Sequence, residues 1–147
     1  MFEKWKSRNL QEKDPLKPPL KILVVTASSP DRDALRSIFE KTYWEMLFAD
    51  GVDEAVDLLG CHPISMVICD RELPGTDWRE AIRRLANDRN RVFLASLVAD
   101  DYLWDEVIRH GGYDIIAKPF REEEVLHAVE FAWAALTKSH LSAPRTR

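Results

Sequence analysis

Cysteine is almost missing from this chain, with only Cys61 and Cys69 among 147 residues. Two cysteines at this separation match neither a zinc-ligand spacing nor a disulfide framework, and Cys69 sits inside an apolar run where a thiol packs as a small hydrophobe. No disulfide and no metal cluster is expected. An excess of positive charge is missing too: 21 Lys and Arg face 25 Asp and Glu, for a formal net charge of -4. Nucleic acid is usually met by a strongly basic face, so no nucleic-acid partner is expected. No apolar run approaches the roughly 20 residues that span a bilayer, and residues 1–20 lack the apolar stretch of a secretory leader. The expectation is a cytoplasmic protein without a membrane partner. Glycine-rich phosphate loops and Ser/His/Asp or Cys/His arrangements are also wanting, and His62, His110, His127 and His140 are scattered without ligand spacing. The chain does not read as an enzyme.

What is present is a core's worth of apolar side chains, 46% of residues, enough for one domain that buries roughly 70% of its unfolded surface. Their period alternates along the chain. Ile22 to Val25 reads as a strand, and Ala34, Leu35, Ile38 and Phe39 then recur at helical spacing. A weaker strand over 44–49 leads through Asp50-Gly51 into a helix carrying Val52, Ala55, Val56 and Leu59. Strands over 64–69, 92–98 and 115–117 alternate with helices over 78–85 and 101–109, the latter stopped by Gly111-Gly112. A last helix is predicted over 122–136, with three glutamates in its first turn to complement the helix dipole. Five βα units with near-continuous apolar strands predict an α/β fold, a doubly wound five-stranded parallel sheet flanked by five helices, flavodoxin-like. Residues 1–20, which include Pro15, Pro18 and Pro19, read as an N-terminal extension whose Phe2, Trp5 and Leu10 are apolar enough to dock. Residues 21–137 form the domain, and 138–147 a polar tail.

In such sheets a site lies at the carboxyl ends of the strands, beside the switch in strand order. The residues there are Thr26, Ala27 and Ser28 after the first strand, Asp70 after the third, Ser96 near the end of the fourth and Lys118 after the fifth. An Asp, a hydroxyl and a Lys at three strand ends make a sensible phosphate site: a carboxylate nucleophile, a donor for phosphoryl oxygens and a point charge. Each alone is commonplace, since Asp at a strand end is more often a turn or cap residue. Their conjunction in this order carries the signal.

The segments Lys21-Ile-Leu-Val-Val25, Val67-Ile-Cys-Asp-Arg-Glu-Leu-Pro-Gly75 and Gly111-Gly-Tyr-Asp-Ile-Ile-Ala-Lys-Pro-Phe120 resemble the receiver domain of two-component response regulators, over about 21–137. The resemblance implies that Asp70 is the phosphoacceptor, Ser96 the switch hydroxyl and Lys118 the phosphate-binding lysine, with Lys118-Pro119 a cis peptide. It also implies two acidic residues after the first strand to hold Mg²⁺, and here those places read Thr26 and Ala27. Mg²⁺ wants oxygen ligands, usually with one or two carboxylates. Asp70 and the backbone carbonyl of Glu72 remain, so a weak Mg²⁺ site is expected and charge on a transferred phosphoryl loses its main stabiliser. With no acidic neighbours, Lys118 is the expected counter-charge of Asp70. The residue after the switch hydroxyl is usually small, yet Leu97 stands there and is expected to cover Asp70; the aromatic that swings on phosphorylation is replaced by Ile115.

If phosphoryl transfer is weak, the domain acts chiefly by binding. Val125, Val129, Ala132 and Leu136 form the core stripe of the last helix, and Leu126 with Trp133 falls on a neighbouring stripe. With Tyr102 and Trp104 of the preceding helix they are expected to form a partner surface and a homodimer contact. The resulting expectation is a stand-alone receiver-like module of a two-component phosphorelay, partnered by a sensor histidine kinase or other signalling protein, with phosphorylation at Asp70 impaired. Two rivals stand beside it. One is a fully functional phosphorelay receiver. The other is a flavodoxin-like domain that binds a small anion or cofactor with Thr26, Ser28, Ser29 and a helix N-terminus, against the simpler reading of Ser28 or Ser29 as an N-cap before Pro30.

Overall fold

The computed structural model describes residues 20–142, with side chains as far as Thr137; residues Phe2, Trp5 and Leu10 of the extension and 143–147 of the tail lie outside them. Five strands, β1 (Lys21–Val25), β2 (Glu45–Ala49), β3 (Met66–Asp70), β4 (Arg91–Ser96) and β5 (Asp114–Ala117), alternate with five helices, α1 (Ser29–Phe39), α2 (Val52–Cys61), α3 (Trp78–Leu85), α4 (Asp101–Arg109) and α5 (Glu122–Ser142). All strand pairs are parallel, in the order β2-β1-β3-β4-β5. The order reverses between β1 and β3, which opens the crevice at their carboxyl ends.

Side chains alternate between the two faces along each strand. Ile22, Val24, Met66, Ile68, Phe93, Ala95 and Ile116 pack under α1 and α5. Leu23, Val25, Val67, Cys69, Val92 and Leu94 pack under α2, α3 and α4. Both faces are therefore apolar, which is why the strands read as continuous runs rather than alternating ones. Leu20 is already buried in the first cluster, and its carbonyl accepts a hydrogen bond from the Glu45 amide.

The helix boundaries follow from local chemistry. At the start of α1 the Ser28 hydroxyl accepts the Asp31 amide at 3.3 Å and Pro30 occupies the first turn, so Ser28 acts as an N-cap. Asp100 caps α4 by accepting the Leu103 amide at 2.8 Å. Gly111 ends α4 with φ 102°, a left-handed turn that glycine adopts without a Cβ penalty.

The partner stripe expected on α5 is corrected by the packing. Leu126 is 0% exposed and belongs to the core, and Trp133 is half-buried against the same cluster. α5 rests on α1 as well as on β5, so two adjacent stripes of the helix are covered instead of one. Among the described residues of α5 the exposed large apolar side chain is Phe131.

Candidate functional site

The strand register builds the site. Val25 pairs with Cys69, Asp70 with Ala95, and Ser96 with Ala117. Thr26 therefore lies level with Asp70, while Ser96 lies one residue beyond Ala95, the partner of Asp70, and Lys118 one residue beyond Ala117, the partner of Ser96. One short crevice thus gathers the last residues of four strands.

Asp70 is only 4% exposed, yet its carboxylate is well supplied with donors. Oδ1 accepts from the Glu72 amide at 3.0 Å and from Lys118 Nζ at 2.9 Å, and Oδ2 accepts from the Thr26 hydroxyl at 2.8 Å. Burial pushes its carboxyl pKa up, but the Glu72 amide, the Lys118 and Thr26 hydrogen bonds and the Lys118 charge outweigh this and hold it below the ordinary carboxylate range. The expected counter-charge contact of Lys118 is thus direct.

Lys118 also meets Asp31, with Nζ 2.7 Å from Oδ2. Desolvation lowers the ammonium pKa, but the two carboxylates raise it to a net value above the ordinary lysine range. The Lys118-Pro119 bond is cis, and the Lys118 amide donates to the Ser96 carbonyl at 2.9 Å. Asp31 was not legible as a site residue: it reaches the crevice from the first turn of α1, and nothing in the apolar pattern marks it. Its neighbour Arg32 braces the first loop by donating to the Thr26 carbonyl at 3.1 Å and pairing with Asp50.

Ser96 is 2% exposed, and its hydroxyl oxygen accepts from the Val98 amide at 3.1 Å and from Arg71 Nη1 at 3.3 Å. Leu97 does not cover the carboxylate as expected. It is 78% exposed, because the chain turns outward after β4. Ile115 is half-buried against the α2–α4 cluster.

The donor set does not fit a divalent cation held as the resemblance implies. Thr26 spends its proton on Asp70, Ala27 has no side-chain oxygen, and Asp31, a carboxylate at the crevice, is tied to Lys118. Among the described residues no group of three or more His, Cys, Asp or Glu is gathered to hold a metal. Beneath Asp70 lies a small cavity of about 10 Å³, lined by Val24, Thr26, Asp31, Leu35, Asp70 and Phe120, with space for at most one water. The hydroxyls of the first loop are used internally, Ser28 as the α1 cap and Thr26 as acceptor of the Ser28 amide at 3.1 Å.

Away from the crevice, Tyr102 (75%), Trp104 (46%) and Ile108 (40%) leave one side of α4 exposed. No described helix is long and apolar enough to cross a membrane.

A doubly wound α/β fold presenting one buried, lysine-paired carboxylate at its switch point defines a class of signalling domain. A family model described as the response regulator receiver domain matches residues 22–130, and the chain belongs to that family. It is 33% identical over 111 residues to response regulator MprA of Mycobacterium sp. (strain KMS), covering 74% of this chain and 48% of that protein. It is 32% identical over 106 residues to the aerobic respiration control protein ArcA of Escherichia coli (strain K12), covering 71% and 44%. The chain thus spans about half the length of these relatives. The signal receiver domain of an HD domain-containing protein from Pseudomonas fluorescens Pf-5 superposes with a TM-score of 0.79 at 20% identity, covering 88% and 98% of the two chains. A response regulator from Thermotoga maritima gives 0.70 at 26% identity, covering 78% and 98%. Receiver domains are signalling modules that interact with histidine kinases and typically bind Mg²⁺ at the phosphorylation site; in this chain the ligand set for that ion is depleted.

Proposed function

We propose that this receiver domain accepts a phosphoryl group on Asp70 slowly and signals chiefly through protein contacts in the cytoplasm. Ser96 and Lys118 are the hydroxyl and the cation that meet the phosphoryl oxygens. The observation that carries the reading is the Thr26 hydroxyl donating to Asp70 Oδ2 at 2.8 Å, in the place where the family carries a metal-binding carboxylate. That bond stabilises the resting carboxylate, and attack by Oδ2 weakens it. Three donors on two oxygens lower the carboxylate's basicity and with it its nucleophilicity. The exposed Tyr102 and Trp104 of α4 are the residue types that anchor interfaces, and they supply a surface for a sensor histidine kinase, another signalling protein or a second copy of this chain.

Intact-mass measurement after incubation with acetyl phosphate and Mg²⁺ tests the chemistry. The expected result is a small phosphorylated fraction that is lost in Asp70→Asn and grows when Thr26→Asp and Ala27→Asp are combined. Rapid, stoichiometric labelling of the unmodified chain would overturn the slow-acceptor reading in favour of a fully functional phosphorelay receiver.

A further inference from the structure

Two of the cations near the crevice are committed to carboxylates. Lys118 is clamped between Asp31 and Asp70 at 2.7 and 2.9 Å. Arg32 pairs with Asp50 on the far side of the first loop. Arg71 differs. It follows Asp70 directly, its backbone amide is fixed to the Ala95 carbonyl at 3.0 Å, and its side chain is half-buried with Nη1 donating to the neutral Ser96 hydroxyl at 3.3 Å. Among the described residues no carboxylate lies within ion-pair distance of it. A guanidinium carries five N–H donors in a planar fork, so four remain to meet an oxyanion.

The charges around Asp70 point the same way. Asp31, Lys118 and Asp70 sum to one negative charge, which Arg71 offsets. Converting the Asp70 carboxylate into an acyl phosphate adds up to one further negative charge, and Lys118 is already shared between two carboxylates. We infer that Arg71 is an oxyanion ligand of this site: with Ser96 it binds the equatorial oxygens of a phosphoryl group on Asp70, so that acceptance by this chain does not depend on a divalent cation. The inference rests on Asp70 being the phosphoacceptor. In the step itself Asp70 Oδ2 attacks phosphorus of an acyl phosphate donor. The bond from phosphorus to the donor's carboxyl oxygen breaks, the carboxylate leaves with that electron pair, and no proton is transferred. Arg71 meets charge on the phosphoryl oxygens through a bidentate fork, which an ammonium cannot reproduce.

Beryllofluoride, a tetrahedral phosphoryl mimic that binds carboxylates, tests this by fluorine NMR without turnover. The unmodified chain is expected to form the adduct equally in EDTA and in Mg²⁺, and Asp70→Asn to form none. Arg71→Ala should weaken adduct formation at least about tenfold, as loss of an oxyanion donor does, with partial rescue in Arg71→Lys and none in Arg71→Gln. Adduct formation that requires Mg²⁺, or is unchanged in Arg71→Ala, overturns the role of Arg71 and leaves Asp70 as acceptor. Absence of an adduct under both conditions overturns both. Acetyl-phosphate labelling in EDTA, followed by intact mass in the same variants, should give the same order.

Discussion

The carboxyl end of the sheet and the outer side of α4 treat their side chains in opposite ways. In the crevice Asp70, Lys118, Thr26 and Ser96 are buried or nearly so and each is tied to neighbours, although two family positions there have lost their carboxylates. On α4, Tyr102, Trp104 and Ile108 stand in solvent, while Leu103 and Val107 of the same helix are sealed in the core. The difference teaches where replacement is tolerated. A buried charge without a partner is costly, so the loss of the acidic pair is accommodated by residues already within reach, with Thr26 donating to one oxygen of Asp70 and Asp31 sharing its lysine. An exposed aromatic has a much smaller cost and can persist for what it contacts.

The sharpest way to break this contrast is to exchange a core residue for a face residue. Leu126→Ala should lower unfolding free energy by about 2–5 kcal/mol, as buried Leu truncations do, whereas Tyr102→Ala should stay within about 0.5 kcal/mol. Urea denaturation checks both, and comparable effects would mean that α4 is covered as α5 is.

Lys118→Met should come next, with a loss of about 2–4 kcal/mol at neutral pH, because Asp70 and Asp31 are left facing each other without their cation. The sign with pH follows from the direction of the shift. The Asp70 carboxyl is held below its unfolded value in the native protein, so its contribution is present above the unfolded carboxylate pKa and disappears as pH falls through the lowered native one. The penalty of Lys118→Met should shrink over the same acid range, and carbon-detected titration should find the Asp70 pKa raised in the variant. An unchanged pKa would break the pairing.

Restoring Thr26→Asp with Ala27→Asp should tighten Mg²⁺ binding about tenfold or more, since each carboxylate is a direct ligand for a hard cation. Titration followed by tryptophan fluorescence reads it, and no gain would show that the Asp31–Lys118 pair still closes the site.

On α4, sedimentation at micromolar concentration should give a dimer that Trp104→Glu converts to monomer with unchanged circular dichroism. A monomer at every concentration would assign the face to another protein. The smallest effect concerns the thiols. Burial, helped by the neighbouring Asp70 charge, pushes the Cys69 thiol up to about 12, while Cys61 is exposed. Alkylation near pH 8 should label Cys61 alone, without loss of stability.

By itself the sequence determined the five βα units and the placing of Asp70, Ser96 and Lys118 at strand ends. The reason is that strands buried on both faces read as apolar runs, and the residue that ends such a run falls at the carboxyl edge wherever the helices lie. The loss of the acidic pair was legible for the same reason, as Thr26 and Ala27 follow the first run directly. Which polar residues complete the site was decided by the tertiary structure. Asp31 reaches Lys118 from α1 and Arg71 reaches Ser96 across a strand boundary, over 87 and 25 positions of sequence respectively, and side-chain reach between elements leaves no periodic trace. The fate of the apolar stripes belonged to the tertiary structure as well. Periodicity places Leu126 beside the core-facing stripe of α5, but only the packing of that helix on both α1 and the sheet makes the buried stripe wide enough to include it. Among the described residues α4 packs chiefly on β5, and its aromatics remain outside.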